Sequence, residues 1–174
     1  NTTGAHNVGV GFSALRSNTC GHCNVGIGNY ALLGNTTGCQ NTAVGVLAMK
    51  CNTTGIMNTA SGYYALGLNT TGDRSVAIGY YAFVNNTTGN NNAAYGTKAM
   101  EANTTGSSNS AIGFKSLWSN TTGSGNQAMG YATLYDNTTG GNNTAVGIQA
   151  LSNNTTSSYN VAVGRNALLS NTTT

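Results

Sequence analysis

Charge is what this chain most lacks. Of its 174 residues, six are Lys or Arg and three are Asp or Glu, where an average globular chain is about a quarter charged. The cations (Arg16, Lys50, Arg74, Lys98, Lys115 and Arg165) are scattered, and a net charge of +3 makes no basic patch. Nucleic acid is therefore not an expected partner. No apolar run approaches the ~20 residues of a membrane-crossing helix, so membrane insertion is not expected either. Proline is absent. The three carboxylates, Asp73, Glu101 and Asp136, fall in different repeats at different places, and His6 and His22 are the only histidines. That leaves no Ser-His-Asp set, no carboxylate pair of the kind that cleaves glycosides and no Asp ladder of a calcium-binding nonapeptide roll. The chain reads as non-catalytic and without cofactors.

Asn, Thr and Gly fill the space, in a strict order. Residues 35–51 read NTTGCQNTAVGVLAMKC and residues 52–68 read NTTGIMNTASGYYALGL. The shared pattern is N-T-T-G-x-x-N-x-A-x-G-x-x-A-L-x-x. It begins at Asn1, Asn18, Asn35, Asn52, Asn69, Asn86, Asn103, Asn120, Asn137 and Asn154, and residues 171–174 start another unit. Residues 1–174 are thus one repeat array without insertion or deletion, expected to be a segment of a longer fibre. Few charges and many amides would otherwise suggest disorder. A fixed register argues for structure instead, and the period is the first thing to decide an architecture.

Seventeen residues are too few for helical-hairpin or leucine-rich repeats. Glycine at the eleventh place of every unit would cost a helix about 1 kcal/mol each time. The period suits one coil of a parallel β-solenoid built from short strands. In Ser75-Val76-Ala77-Ile78-Gly79 and Asn143-Thr144-Ala145-Val146-Gly147, apolar and small residues alternate, as on the two faces of a strand. The predicted fold is all-β: ten 17-residue coils, at ~4.8 Å per coil a rod about 50 Å long. Leu, Met or Phe at the fifteenth place is the expected filling of the lumen.

Stacked coils place like on like. Asn18, Asn35 and Asn52 form one column and Asn41 and Asn58 another, and an Asn amide can both donate and accept along such a stack. Asn and the glycine of N-T-T-G are read as corner residues, Gly supplying positive φ. Gly45, Gly62 and Gly79 belong to the invariant eleventh column. Asn-Thr-Thr is also an N-glycosylation sequon, but a buried ladder and a glycan exclude each other, and the ladder is preferred.

Val44, Ile78, Ile112 and Val146 stand between the small residues of the strand. If they point outwards they form an apolar stripe, the mark of an interface, and a three-fold bundle packed on these stripes is the favoured arrangement. In the alternative, they fill a wider monomeric lumen and the Ala/Gly face points out.

The unit NTAVG or SVAIG followed by x-x-A-L resembles the head repeats of trimeric autotransporter adhesins. The full unit is similar to repeats of tail-fibre-like proteins of phages, large viruses and predatory bacteria. The resemblance spans the whole chain and implies a homotrimeric fibre or filament at a cell or virion surface, structural or adhesive, with a cell-surface glycan or receptor as outside partner. A second reading is an ice-binding solenoid, with Thr2, Thr19, Thr36 and Thr53 as one rank beside Asn.

Cys23 and Cys39 are sixteen apart, which sets them on adjacent rungs near the ~5.5 Å Cα spacing of a disulfide, so they are read as a candidate disulfide or as free thiols. The same corner holds His6 and His22, so a zinc site of His6, His22, Cys23 and Cys39 is the lesser alternative. Tyr63, Tyr64, Tyr80 and Tyr81 stack, as do Phe114 with Tyr131 and Trp118 with Tyr135. They are read first as cross-rung pairs and second as sugar-stacking platforms. Lys98 and Lys115 stack as like charges, expected in solvent.

Overall fold

The computed structural model describes residues 1–171. It is a stack of coils, each contributing one three-residue strand: β1 (Val8–Val10), β2 (Val25–Ile27), β3 (Thr42–Val44), β4 (Thr59–Ser61), β5 (Val76–Ile78), β6 (Ala93–Tyr95), β7 (Ser110–Ile112), β8 (Gln127–Met129), β9 (Thr144–Val146) and β10 (Val161–Val163). The ten strands form a single parallel sheet in chain order. Register is one repeat throughout: Thr42 pairs with Thr59, Ala43 with Ala60 and Val44 with Ser61. The β-solenoid follows the predicted period. The expectation of several strands per coil does not hold, because the rest of each coil is turn.

Those turns are left-handed at three places per coil. Non-glycine residues at the sixth, thirteenth and fifteenth positions have φ between 47° and 62°, from His6 to Leu168. A lone L-residue pays roughly 1–2 kcal/mol for that conformation, so stacking must hold it. The alternation of handedness aims successive amides at opposite neighbours. Tyr30 N donates to Phe12 O of the coil before, and Leu32 N donates to Ala48 O of the coil after. Backbone groups outside the strand are thereby paired between coils, as a buried chain requires.

Neither Asn column nor the glycine of N-T-T-G takes the left-handed corner expected of them. That glycine serves closeness instead. A Cβ on Gly38 would strike Gly55 O and the side chains of Asn35 and Asn52. Positive φ belongs to the eleventh column, where Gly45, Gly62 and Gly79 have φ of 137°, 133° and 137°. A Cβ there would also overlap the carbonyl of the next coil's glycine.

The lumen is narrow and dry. Ala43, Ala60 and Ala77 of the strands, Ala48, Ala65 and Ala82 of the turn, and the fifteenth-column residues Leu32, Met49, Leu66, Phe83, Met100, Leu117, Leu134 and Leu151 are fully buried. The strand's small residues face that column: a Cβ added at Gly26 would touch Leu15 Cγ at ordinary contact distance. Small residues on the strand are therefore what lets one large apolar side chain per coil fill the interior.

Candidate functional surface

The polar columns are internal. Asn18, Asn35 and Asn52 are buried, and each Nδ2 donates to the Asn Oδ1 one coil before, at 3.1, 2.8 and 2.8 Å. The same Nδ2 groups reach Gly21 O, Gly38 O and Gly55 O of their own coils at 3.0 Å. In the second column, Asn41 and Asn58 are likewise buried and donate to Gly55 O and Gly72 O at 2.8 Å. Their backbone amides donate to the Oδ1 of Asn24 and Asn41 at 3.0 Å. Gly21 O, Gly38 O, Gly55 O and Gly72 O thus each collect two amide donors. A side chain committed in this way offers its nitrogen to no glycan. Ser75 is the one interruption of the second column among the described residues, and Gly89 O keeps only the bond from Asn86.

Threonines at the second place are committed too. Thr19, Thr36 and Thr53 donate their hydroxyls to the carbonyls of Thr36, Thr53 and Thr70 at 2.9–3.0 Å. Their Asn neighbours lie inside, so the rank proposed for ice loses its companion.

The outer face of the sheet carries what the strand does not bury. Ala43, Ala77, Ala111 and Ala145 point into the lumen, while Val44, Ile78, Ile112 and Val146 point out, 37–40% exposed. The orientation left open by the alternation is therefore the outward one. Val10, Ile27, Tyr95 and Met129 extend the same row, and Val46, Tyr63, Tyr80, Phe114, Tyr131 and Ile148 flank it one residue past the glycine, all exposed. This is a continuous apolar strip along the rod, with polar breaks at Ser61 and at Asn29, Thr97 and Arg165.

At the sides of the strip the aromatic residues pair between coils. Tyr63 lies over Tyr80 with centroids 5.6 Å apart, and Tyr64 meets Tyr81 edge-on at 5.5 Å. Gly67 makes room for this, since a Cβ there would enter the Tyr64 ring. Desolvation in the stack, with Cys51 and neighbouring tyrosines adding, pushes the Tyr64 hydroxyl above the ordinary tyrosine range, and Tyr81 shifts the same way. Further along, Phe114 stacks on Tyr131 and Trp118 on Tyr135. Lys98 and Lys115 do not share a solvated row as expected. Lys98 pairs with Glu101 at 3.4 Å, whereas Lys115 lies over aromatic rings.

The cysteine corner does not close. Cys20, Cys23, Cys39 and Cys51 are all free thiols, so of the two readings of Cys23 and Cys39 the structure carries the free-thiol one. Cys39 Sγ instead donates to Thr37 O and accepts from His22 N, both at 3.3 Å. His22 Nδ1 accepts from Ala5 N at 3.0 Å. Among the described residues no three His, Cys, Asp or Glu side chains gather as a metal would require. Cys20 has its thiol drawn below the usual range by hydrogen bonds, chiefly from Thr3 Oγ1 at 3.2 Å. Asp73 is spent on the backbone, its Oδ1 accepting from Ile56 N at 2.8 Å. Glu101 holds Trp118 Nε1 at 2.7 Å and Lys98. Among the described residues no helix is long and apolar enough to cross a membrane.

No family model matches the chain, and neither a curated protein nor a solved structure does.

Proposed function

We propose that the array is a segment of an extracellular structural and adhesive fibre, displayed at a cell or virion surface, and that it works by assembling with copies of itself into a homotrimer. The observation that carries this reading is the outward row of Val44, Ile78, Ile112 and Val146 on a sheet whose other face is already buried. A soluble monomer rarely leaves a contiguous apolar strip of this length in water. Three identical rods laid along a common axis would cover the strip on each, and parallel strands buried on both faces are the usual condition of parallel sheets. The rest of the coil suits a passive rod: its Asn, Thr and Gly columns are consumed in holding coil to coil.

The test is a pair of substitutions on that strip. Ile78→Lys with Ile112→Lys places a like-charged column on the axis while leaving the lumen untouched. Size-exclusion chromatography with light scattering should show the unmodified chain as a trimer and the double variant as a folded monomer. A monomer before substitution, or a trimer that survives it, counts against the proposal. The ice-binding alternative is read by thermal hysteresis, and clear activity would replace the fibre reading.

A further inference from the structure

We propose that the chain holds a binding site for a single carboxylated sugar ring, in the pocket above Ala132. The site deepens the adhesive reading and rests on it for its biological use, but the pocket itself belongs to one chain. Its origin is a gap in a column. Along the thirteenth position the residues run Tyr64, Tyr81, Lys98, Lys115, Ala132, Gln149. Where the others project a long side chain, Ala132 projects a methyl group. The space left is about 210 Å³, lined by Phe114, Lys115, Tyr131, Ala132, Tyr135, Gln149 and Ser152. Pockets that bury drug-sized ligands run ~300–1,000 Å³, so this one suits a single ring.

Its walls are preset. On one side Phe114 and Tyr131 stack with centroids 5.4 Å apart and planes 13° off parallel. On the other stands Tyr135, backed by Trp118 outside the lining, on which it stacks at 5.0 Å and 16°. The second pair is anchored, because Glu101 accepts the Trp118 Nε1 hydrogen at 2.7 Å and is itself paired with Lys98. Lys115 spans the floor between the two pairs, its Nζ 5.6 Å from the Phe114 centroid, 5.1 Å from Trp118 and 5.7 Å from Tyr135. It has no carboxylate partner among the described residues. Two aromatic walls offer apolar faces to the C–H surfaces of a sugar. A cation held against rings, without a counter-ion, is placed to receive a carboxylate. Gln149 and Ser152 add an amide and a hydroxyl for ring hydroxyls. The stack of Tyr63, Tyr64, Tyr80 and Tyr81 has no alanine gap in its thirteenth column, and Lys98, the cation that acts on Tyr81, is already paired with Glu101, which marks the Ala132 site as different in kind.

Trp118 is the only tryptophan and stacks directly behind the Tyr135 wall, so its fluorescence reports on that wall. The experiment titrates the full chain with methyl β-glucuronide and, separately, with the neutral methyl β-glucoside. A saturable change is expected with the glucuronide, weakened by added salt. The glucoside should bind at least roughly tenfold more weakly, as does the glucuronide to Lys115→Met, since a bond to a charged group is lost. Ala132→Leu should abolish the response by filling the gap. The fold accepts leucine there, because Leu47 occupies the same column with φ of 62°. Circular dichroism verifies folding, and if Ala132→Leu does not fold, the Lys115→Met and glucoside comparisons carry the test. No saturable response, equal response to the two sugars, or a response retained in Ala132→Leu overturns the site. A trimer without sugar binding would defeat the site and leave the fibre reading standing; sugar binding by a monomer would do the reverse.

Discussion

Ser75→Asn should make the protein more stable, although it replaces a buried residue in the interior of the rod. At this place the coils before and after carry Asn58 and Asn92, whose Nδ2 groups donate to Gly72 O and Gly106 O at 2.8 and 2.9 Å. Ser75 is too short to reach the corresponding Gly89 O, which keeps a single bond, from Asn86 at 3.0 Å. The serine does preserve part of the column. Its Oγ accepts from Asn92 N at 3.2 Å, and its own amide donates to Asn58 Oδ1 at 2.9 Å. Asparagine would keep both of those and add the missing donor to the buried Gly89 O, while giving up the Ser75 Oγ donation to Asp73 O at 3.1 Å, a carbonyl that still accepts from Asn91 N. Exchanging a bond to a carbonyl that keeps another donor for one that completes a buried carbonyl gains the lower end of a net hydrogen bond's worth, about 0.5 kcal/mol, which for a chain of this size raises Tm by roughly 1–2 °C. Because assembly shifts apparent stability by mass action, the comparison is made by guanidinium unfolding at one fixed protein concentration, followed by circular dichroism. The reciprocal change, Asn41→Ser, removes the Nδ2 bonds to Gly55 O at 2.8 Å and to Asn24 Oδ1 at 3.2 Å and should lower stability by about 1–2 kcal/mol. If Ser75→Asn is neutral or destabilising while Asn41→Ser is costly, the fifth coil is built around serine and the register reasoning fails there. If both are neutral, the second column contributes no stability.

Truncating the first column should be more damaging. Asn120→Ala deletes bonds to Asn103 Oδ1 at 2.7 Å and Gly123 O at 2.9 Å and the bond received from Asn137 at 2.8 Å. With a buried acceptor orphaned, about 2–4 kcal/mol should be lost, read from the same unfolding curves against an exposed control, Thr122→Ala, expected within about 0.5 kcal/mol of the parent. Cys20 should be the first thiol alkylated by iodoacetamide near neutral pH, since its lowered pKa means that more of it is thiolate there than in an ordinary cysteine. Peptide mapping by mass spectrometry at a series of pH values follows this, and removal of the Thr3 hydroxyl by Thr3→Val should move its reactivity to higher pH.

The architecture could be read from the period alone, because a one-repeat register dictates which residues meet. Once Asn35 is stacked on Asn18, their hydrogen bond needs no further information, and the lumen role of Leu66 or Phe83 follows from its fixed place. The handedness of the corners could not be read this way. Cys23, Gln40, Met57 and Arg74 have nothing in common that favours positive φ, and it is the bonds between coils that hold them left-handed. Residue type misleads at N-T-T-G, where glycine is selected by the closeness of the next coil. The direction of Val44 and Ile78 was ambiguous in sequence because both strand faces are dry. It is decided by the width of the lumen, which one fifteenth-column side chain per coil already fills. The Ala132 pocket leaves a trace in sequence only when the thirteenth column is read down the array, where one alanine interrupts a file of long side chains. Its walls come from two other columns, and their convergence is a property of the folded coil.

The fibre reading turns on whether copies of the chain meet at the outer apolar row. Sedimentation equilibrium of the unmodified chain over a wide concentration range measures this most directly. The fibre account predicts a single species of three times the 17.6 kDa chain mass, persisting on dilution. A species at 17.6 kDa throughout, with the apolar strip open to water, would contradict it.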